Sequence, residues 1–138
     1  MDPKRTKKEK EKADFEIAFF EAILKEKPDF IEALAALGDL YTKNGFCEKG
    51  LCVDKKLSQL RPNDPVVLYN LACSYSLLSD LDHAFAAIEQ AVRCGYSDFN
   101  YIEYDNDLHN LRADARFQQF LTGVKTKKTA DGQSVQHG

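Results

Sequence analysis

The sequence has no glycine-rich phosphate loop, no Cys-x-x-Cys pair and no apolar run near the roughly 20 residues that a membrane span requires. Only four prolines interrupt its 138 residues, of which 43% are apolar and 30% charged. That balance excludes a disordered chain and describes a globular one of about one domain. Strand-like alternation of useful length is also missing, so the expected fold class is all-α. The first apolar stretch, from Phe15 to Leu24, is broken by Glu16 and Glu21 and lacks a small-residue cleavage site. We therefore expect no signal peptide.

The four cysteines (Cys47, Cys52, Cys73 and Cys94) stand in no metal-ligand spacing with one another or with a histidine. They read as small, buried, reduced side chains, which points to a cytoplasmic protein with no metal or cofactor. Neither His83 nor His109 accompanies a nucleophile, so no catalytic residue is expected and both read as surface or capping histidines. The net charge is −3. The first 12 residues carry +3 and residues 124–138 carry +2, so the body between them carries −8. Basic ends on an acidic body suggest solvated termini, and neither nucleic acid nor membrane is an expected partner.

What is present is a repeat. A shift of 34 residues lays Leu34 on Leu68, Leu37 on Leu71, Gly38 on Ala72 and Tyr41 on Tyr75, then Gly50 on Ala84 and Leu57 on Ala91. A fixed period of this length marks stacked supersecondary units, none of which buries its apolar face alone. The punctuation agrees. The charged lead-in over 1–12, with its alternating Lys and Glu, favours an outward, frayed extension of the next helix. That helix, over 13–27, carries one stripe of Ala13, Ile17, Phe20 and Leu24 and another of Phe15, Phe19 and Ile23, and Pro28 ends it. Asp29, with Glu32 three residues on, reads as a capping box for the next helix, which Asn44-Gly45 closes. A helix over about 46–60 stops before Pro62, and Asp64-Pro65 opens another that ends near Leu78. Asp80 caps the helix that Gly95 closes. Residues 96–104 read as aromatic-rich and irregular, 107–111 as a single helical turn, and 115–124 as a final helix capped by Asp114. Residues 125–138 lack apolar spacing and are expected to be a disordered tail.

These residues resemble the tetratricopeptide repeat family. The resemblance rests on L-x-x-L-G-x-x-Y at Leu34–Tyr41, L-x-x-L-A-x-x-Y at Leu68–Tyr75, the later Ala84, Ile88 and Ala91, and the closing Pro28 and Pro62. It implies an α-α superhelix of antiparallel helix pairs over 13–124, with a half repeat at 13–30, repeats at 31–64 and 65–98, and a capping segment at 99–124. The stretch Asp105–Leu121 resembles the closing segment of many bacterial repeat arrays. Two positions depart from the family pattern. Asp54 stands where Ile88 stands one period later, so it is expected at an edge or beside a lysine, because an unpaired buried carboxylate costs several kcal/mol. Gly50 replaces alanine and weakens its helix by roughly 0.5–1 kcal/mol.

The resemblance implies a non-catalytic protein–protein interaction module that holds its partner in a concave groove. Carried over by position, the groove residues are Glu32, Ala35, Asp39 and Thr42, then Val66, Tyr69, Asn70, Cys73 and Ser76, with Glu103, Asn100 and Asp107 from the last unit. The Lys/Asn/Arg clamp with which some family members grip acidic chaperone tails is matched here only by Asn70. The acidic groove instead suggests a basic or apolar–basic segment, with Tyr69 as aromatic anchor. Phe15, Phe19 and Ile23 form a second apolar face, expected to be an oligomer or partner interface unless residues 1–12 fold back over it. Two alternatives are a structural homo-oligomeriser with an unused groove and a charged-tail tether to nucleic acid or membrane.

Overall fold

A computed structural model describes the backbone of residues 6–137 and the side chains of residues 6–127. The described residues form an all-α fold of eight helices with one 3-10 turn. In chain order they are α1 (Lys7–Glu26), α2 (Ile31–Lys43), α3 (Cys47–Leu60), α4 (Pro65–Leu77), α5 (Leu81–Arg93), α6 (Phe99–Tyr104), the 3-10 turn Asn106–Leu108, α7 (His109–Arg112) and α8 (Ala115–His137). Each of the first five helices packs on its neighbour in sequence. Among the described residues, no helix is long and apolar enough to cross a membrane.

The period of 34 recurs in the backbone hydrogen bonds. The Phe46 N–H donates to the Tyr41 carbonyl at 2.8 Å, and 34 residues on the Asp80 N–H donates to that of Tyr75 at 3.0 Å. The Lys27 N–H to the Ile23 carbonyl (2.8 Å) likewise returns as Arg61 to Leu57 (2.7 Å). The same turn thus follows α2 and α4, and the same bond closes α1 and α3. The stack has two cores. Leu37 and Tyr41 of α2 meet Ile17 of α1 in the smaller. The larger joins α4 and α5 to the closing segment, where Ile88, Ile102, Leu108, Leu111 and Phe117 lose all contact with solvent.

Several expectations need correction. The α2 N-cap is Phe30, with no side-chain bond, so Asp29 lies one residue too early for a capping box and instead meets Lys56 at 3.3 Å. Asp64 and Asp80 cap α4 and α5 as expected. Thr6 accepts the Glu9 N–H at 3.0 Å, so α1 begins at Lys7 with a proper cap. Residues 7–12 therefore continue outward and do not fold back, while 1–5 lie outside the described residues. The stretch after Gly95 is not irregular: Asp98 accepts the Tyr101 N–H and starts α6. Residues 125–137 continue α8 despite Gly123 and Gly132, with no proline to stop it; residue 138 lies outside the described residues. Of the four cysteines, which are all free, only Cys73 is buried and Cys52 is exposed.

The closing segment is held as its charges suggest. Asp114 accepts the Arg116 N–H at 2.8 Å, Arg116 bridges to Asp82, and Arg112 donates to the Ile102 carbonyl at 2.8 Å. Phe120 meets Phe85 edge-on at 5.8 Å.

The turn after α2 places Gly45 at φ 85°, and one period later Ser79 occupies the same left-handed conformation at φ 60°. That region costs a residue with a Cβ roughly 1 kcal/mol relative to glycine. A Cβ on Gly45 would meet no atom within 4 Å, so only the backbone term applies there. Thermal unfolding should show Gly45→Ala destabilised by about 1 kcal/mol. Ser79→Gly should be stabilised by about 0.5–1 kcal/mol, because the Asn110 bond it removes is long at 3.3 Å.

Candidate partner-binding groove

Close approach of α2 and α3 shapes the groove. A Cβ on Gly38 would stand 3.0 Å from Asp54 Oδ1, and one on Gly50 only 2.7 Å from Thr42 Oγ1. A Cβ at Gly38 would press Asp54 aside by a few tenths of an ångström, and one at Gly50 would displace the Thr42 hydroxyl, so the helix-weakening Gly50 also serves packing. Thr42 is itself held in place by donating to the Gly38 carbonyl at 3.0 Å.

Beneath this contact lies Asp54. It is neither at an edge nor beside a lysine. Only 6% of its surface is exposed, and the Ser74 hydroxyl of α4 donates to Oδ2 at 2.5 Å. Burial, opposed by the Ser74 bond and assisted by Asp39, raises its pKa to about 6. Asp54 forms part of the wall of a cavity of about 70 Å³, which also includes Ala35, Asp39 and Thr42 from α2, Asn70 and Cys73 from α4, and Asp107 from the 3-10 turn. That is room for about two water-sized groups. Asp107 titrates high too, chiefly through burial and then through Asp105 and Asp39, with Lys43 opposing. Lys43 pairs with Asp39 at 2.9 Å on the exposed rim.

The structure thus brings together Ala35, Asp39, Thr42, Asn70, Cys73 and Asp107 of the expected set. Glu32 and Val66 are exposed and do not line the cavity, and Asn100 is exposed on α6. Glu103 is ion-paired with Lys125. Two expected groove residues face inward. Ser76 is fully buried and accepts the Leu111 N–H at 3.2 Å, tying α4 to α7. Tyr69 is no exposed anchor: its ring stacks on Tyr96 at 4.3 Å and its hydroxyl donates to Asp105 Oδ2 at 2.5 Å. Two tyrosines of α6 are exposed instead: Tyr101, tilted 6.0 Å from Tyr69, and Tyr104. The aromatic run after Gly95 was the signal for them, hidden because that run read as irregular.

Asp105 was not among the expected site residues. It is buried, and its carboxylate accepts from Tyr69 and Cys73 on one oxygen and from the Asp107 N–H on the other. Cys73, Asp105 and Asp107 thereby converge, with one ligand-type atom of each within 4.8 Å of the others. Hydrogen bonds within the chain already engage both Asp105 oxygens. Burial, reinforced by Asp105, pushes the Cys73 thiol far up, which favours its protonated form. His83 contacts Asp80 at 2.8 Å and Tyr75 by stacking at 5.0 Å, on the surface. Phe15 and Phe19 are 71% and 52% exposed along α1, with Ile23 half-buried beside them.

The raised Asp54 pKa sets a pH dependence. The folded carboxyl keeps its proton to about pH 6, whereas the unfolded one releases it near 3.8. Folded chain then binds more protons than unfolded between those values, so stability falls as pH rises through that window. Asp54→Asn, which keeps an acceptor for Ser74, should be more stable than the parent by about 1–3 kcal/mol at about pH 7.5. The gain should vanish near pH 4, as read by urea unfolding.

No family model matches the chain. Over 84 residues it is 34% identical to a chloroplastic protein of Arabidopsis thaliana, a stretch that covers 59% of this chain and 25% of that protein. The chain spans about a quarter of the length of that relative.

Proposed function

We propose that the chain is a tetratricopeptide-like α-solenoid that binds, without catalysis, a basic or mixed apolar–basic segment of another protein in this groove. The convergence of Asp39, Asp54 and Asp107 around one polar cavity carries the proposal. The partly desolvated carboxyls of Asp54 and Asp107, whose pKa values are raised, are stabilised by an arriving cation, which restores the charge compensation that burial removed. Asn70 adds hydrogen-bonding capacity, and the exposed Tyr101, which feels the charges of Asp105 and Asp107, adds aromatic surface nearby. An acidic tail would meet repulsion here. The repeated turns and the L-x-x-L-[GA]-x-x-Y runs support the family reading. The protonated Cys73 thiol and the exposed His83 and His109 favour binding over chemistry. We place the chain in the cytoplasm on its free thiols, with the chloroplast named in the relative as the alternative that imaging a tagged chain decides.

Fluorescence anisotropy with labelled Lys/Arg–Leu and Glu–Leu peptides tests the groove. The basic peptide should bind more tightly, and less so as salt rises. Asp39→Asn should weaken it roughly two- to fivefold, while Lys43→Ala, which releases Asp39, should tighten it by a similar factor. Equal or stronger binding of the acidic peptide would overturn the proposal.

A further inference from the structure

Helix α1 has a second surface that the groove does not use. Its inner side, Ala13 and Ile17, is buried in the stack, and Glu21 accepts the Tyr41 hydroxyl from α2. On the opposite side run Phe15, Phe19 and Ile23, one helical turn apart, with Phe15 and Phe19 the most exposed aromatics of the helix. Phe15 and Phe19 stay largely open to solvent, with only Phe20 of the same helix edge-on to Phe19 at 5.2 Å, while Ile23 is half-buried.

The sequence of this face is symmetric about Phe19. Phe15 and Ile23 lie four residues to either side, and Lys12 and Glu26 lie seven to either side. Seven residues are almost two turns, so Lys12 and Glu26 fall within about 20° of Phe19 on the same stripe. Both are exposed, and neither has an ion partner among the described residues. The two halves of the helix are also opposite in charge. Lys7, Lys8, Lys10 and Lys12 outnumber Glu9 and Glu11 in the first, while Asp14, Glu16, Glu21 and Glu26 outnumber Lys25 in the second.

The geometry points to a second copy of this chain as the occupant, docked by antiparallel pairing of α1 on α1 across a two-fold axis at Phe19. Phe19 then packs on Phe19, and each Phe15 packs on the second copy's Ile23. Each Lys12 meets the second copy's Glu26, so one sequence supplies both ends of two ion pairs. Basic half faces acidic half, whereas a parallel pair would set like charges together. An unrelated partner would give this face no reason to be complementary to itself. The apolar contact is small, because a buried phenyl side chain contributes on the order of 150–250 Å². The dimer is accordingly weak and concentration-dependent rather than obligate. This surface is separate from the groove, and either can fail without the other.

Sedimentation equilibrium of the full chain over roughly 10 μM to 1 mM, the range a small interface demands, tests it. The mean mass should rise toward twice that of one chain. Phe19→Asp and Phe15→Ser, both at exposed positions, should stay at the mass of one chain with unchanged helix content by circular dichroism and unchanged binding of the basic peptide. Lys12→Glu and Glu26→Lys should each weaken association by about tenfold, since each places like charges at both ends. Combining the two restores complementarity and should restore association. A single-chain mass across the whole range overturns the dimer, as does association that survives both phenylalanine variants. Failure of the double reversal to recover what the single changes lose overturns the antiparallel register.

Discussion

The contact between α2 and α3 at Gly38 and Gly50 is the constraint on which the groove depends. A methyl group at either position would intrude on the facing helix, at 3.0 Å from Asp54 Oδ1 or 2.7 Å from Thr42 Oγ1. One period later the same two positions hold Ala72 and Ala84, both fully buried, and Ile88 fills the place of Asp54. The two units thus share a backbone plan and differ in filling. The second is filled by apolar side chains, including Phe117 and Leu121 of α8. The first leaves space beneath its helices, and a carboxylate stands in that space, bonded to the Ser74 hydroxyl.

An acidic groove follows from that difference in filling. Asp54 is too deep to be hydrated well, Asp39 adds to its field from α2, and Asp107 enters from the 3-10 turn. The nearby Lys43 is engaged with Asp39 at the surface, away from the deeper carboxylate. Buried polar groups of this kind are usually destabilising in themselves, and here the Ser74 bond offsets part of that cost. The Tyr69–Asp105–Cys73 hydrogen bonds beside them are closed within the chain, so they fix the position of the turn that carries Asp107.

Much of the fold was legible. Punctuation by Pro28, Gly45, Pro62, Asp64, Asp80 and Gly95 located the end of α1 and both ends of α2 to α5 to within a few residues, because each of those residues acts on its own stretch of backbone. The Thr6-x-x-Glu9 start of α1 was present in the sequence but went unread. Asp29 shows the limit of that local reading, since a capping box one residue out of step looks identical in sequence. The site was legible only where helical position alone decided it, as at Ala35, Asp39, Thr42, Asn70 and Cys73. Tyr69 and Ser76 were misplaced because the residues that cover them, Tyr96 and Leu111, lie 27 and 35 positions away. The burial of Asp54 could not be inferred either, because it depends on the absence of a side chain at Gly38 and on a hydroxyl from α4.

The most direct measurement is the titration of the Asp54 carboxyl carbon by NMR, in the free chain and in the presence of a lysine-rich peptide. A groove built around a desolvated carboxylate predicts a midpoint of about 6 for the free chain and a clear fall once the peptide is bound. A midpoint in the ordinary aspartate range for the free chain, or one that the peptide leaves unmoved, would contradict it.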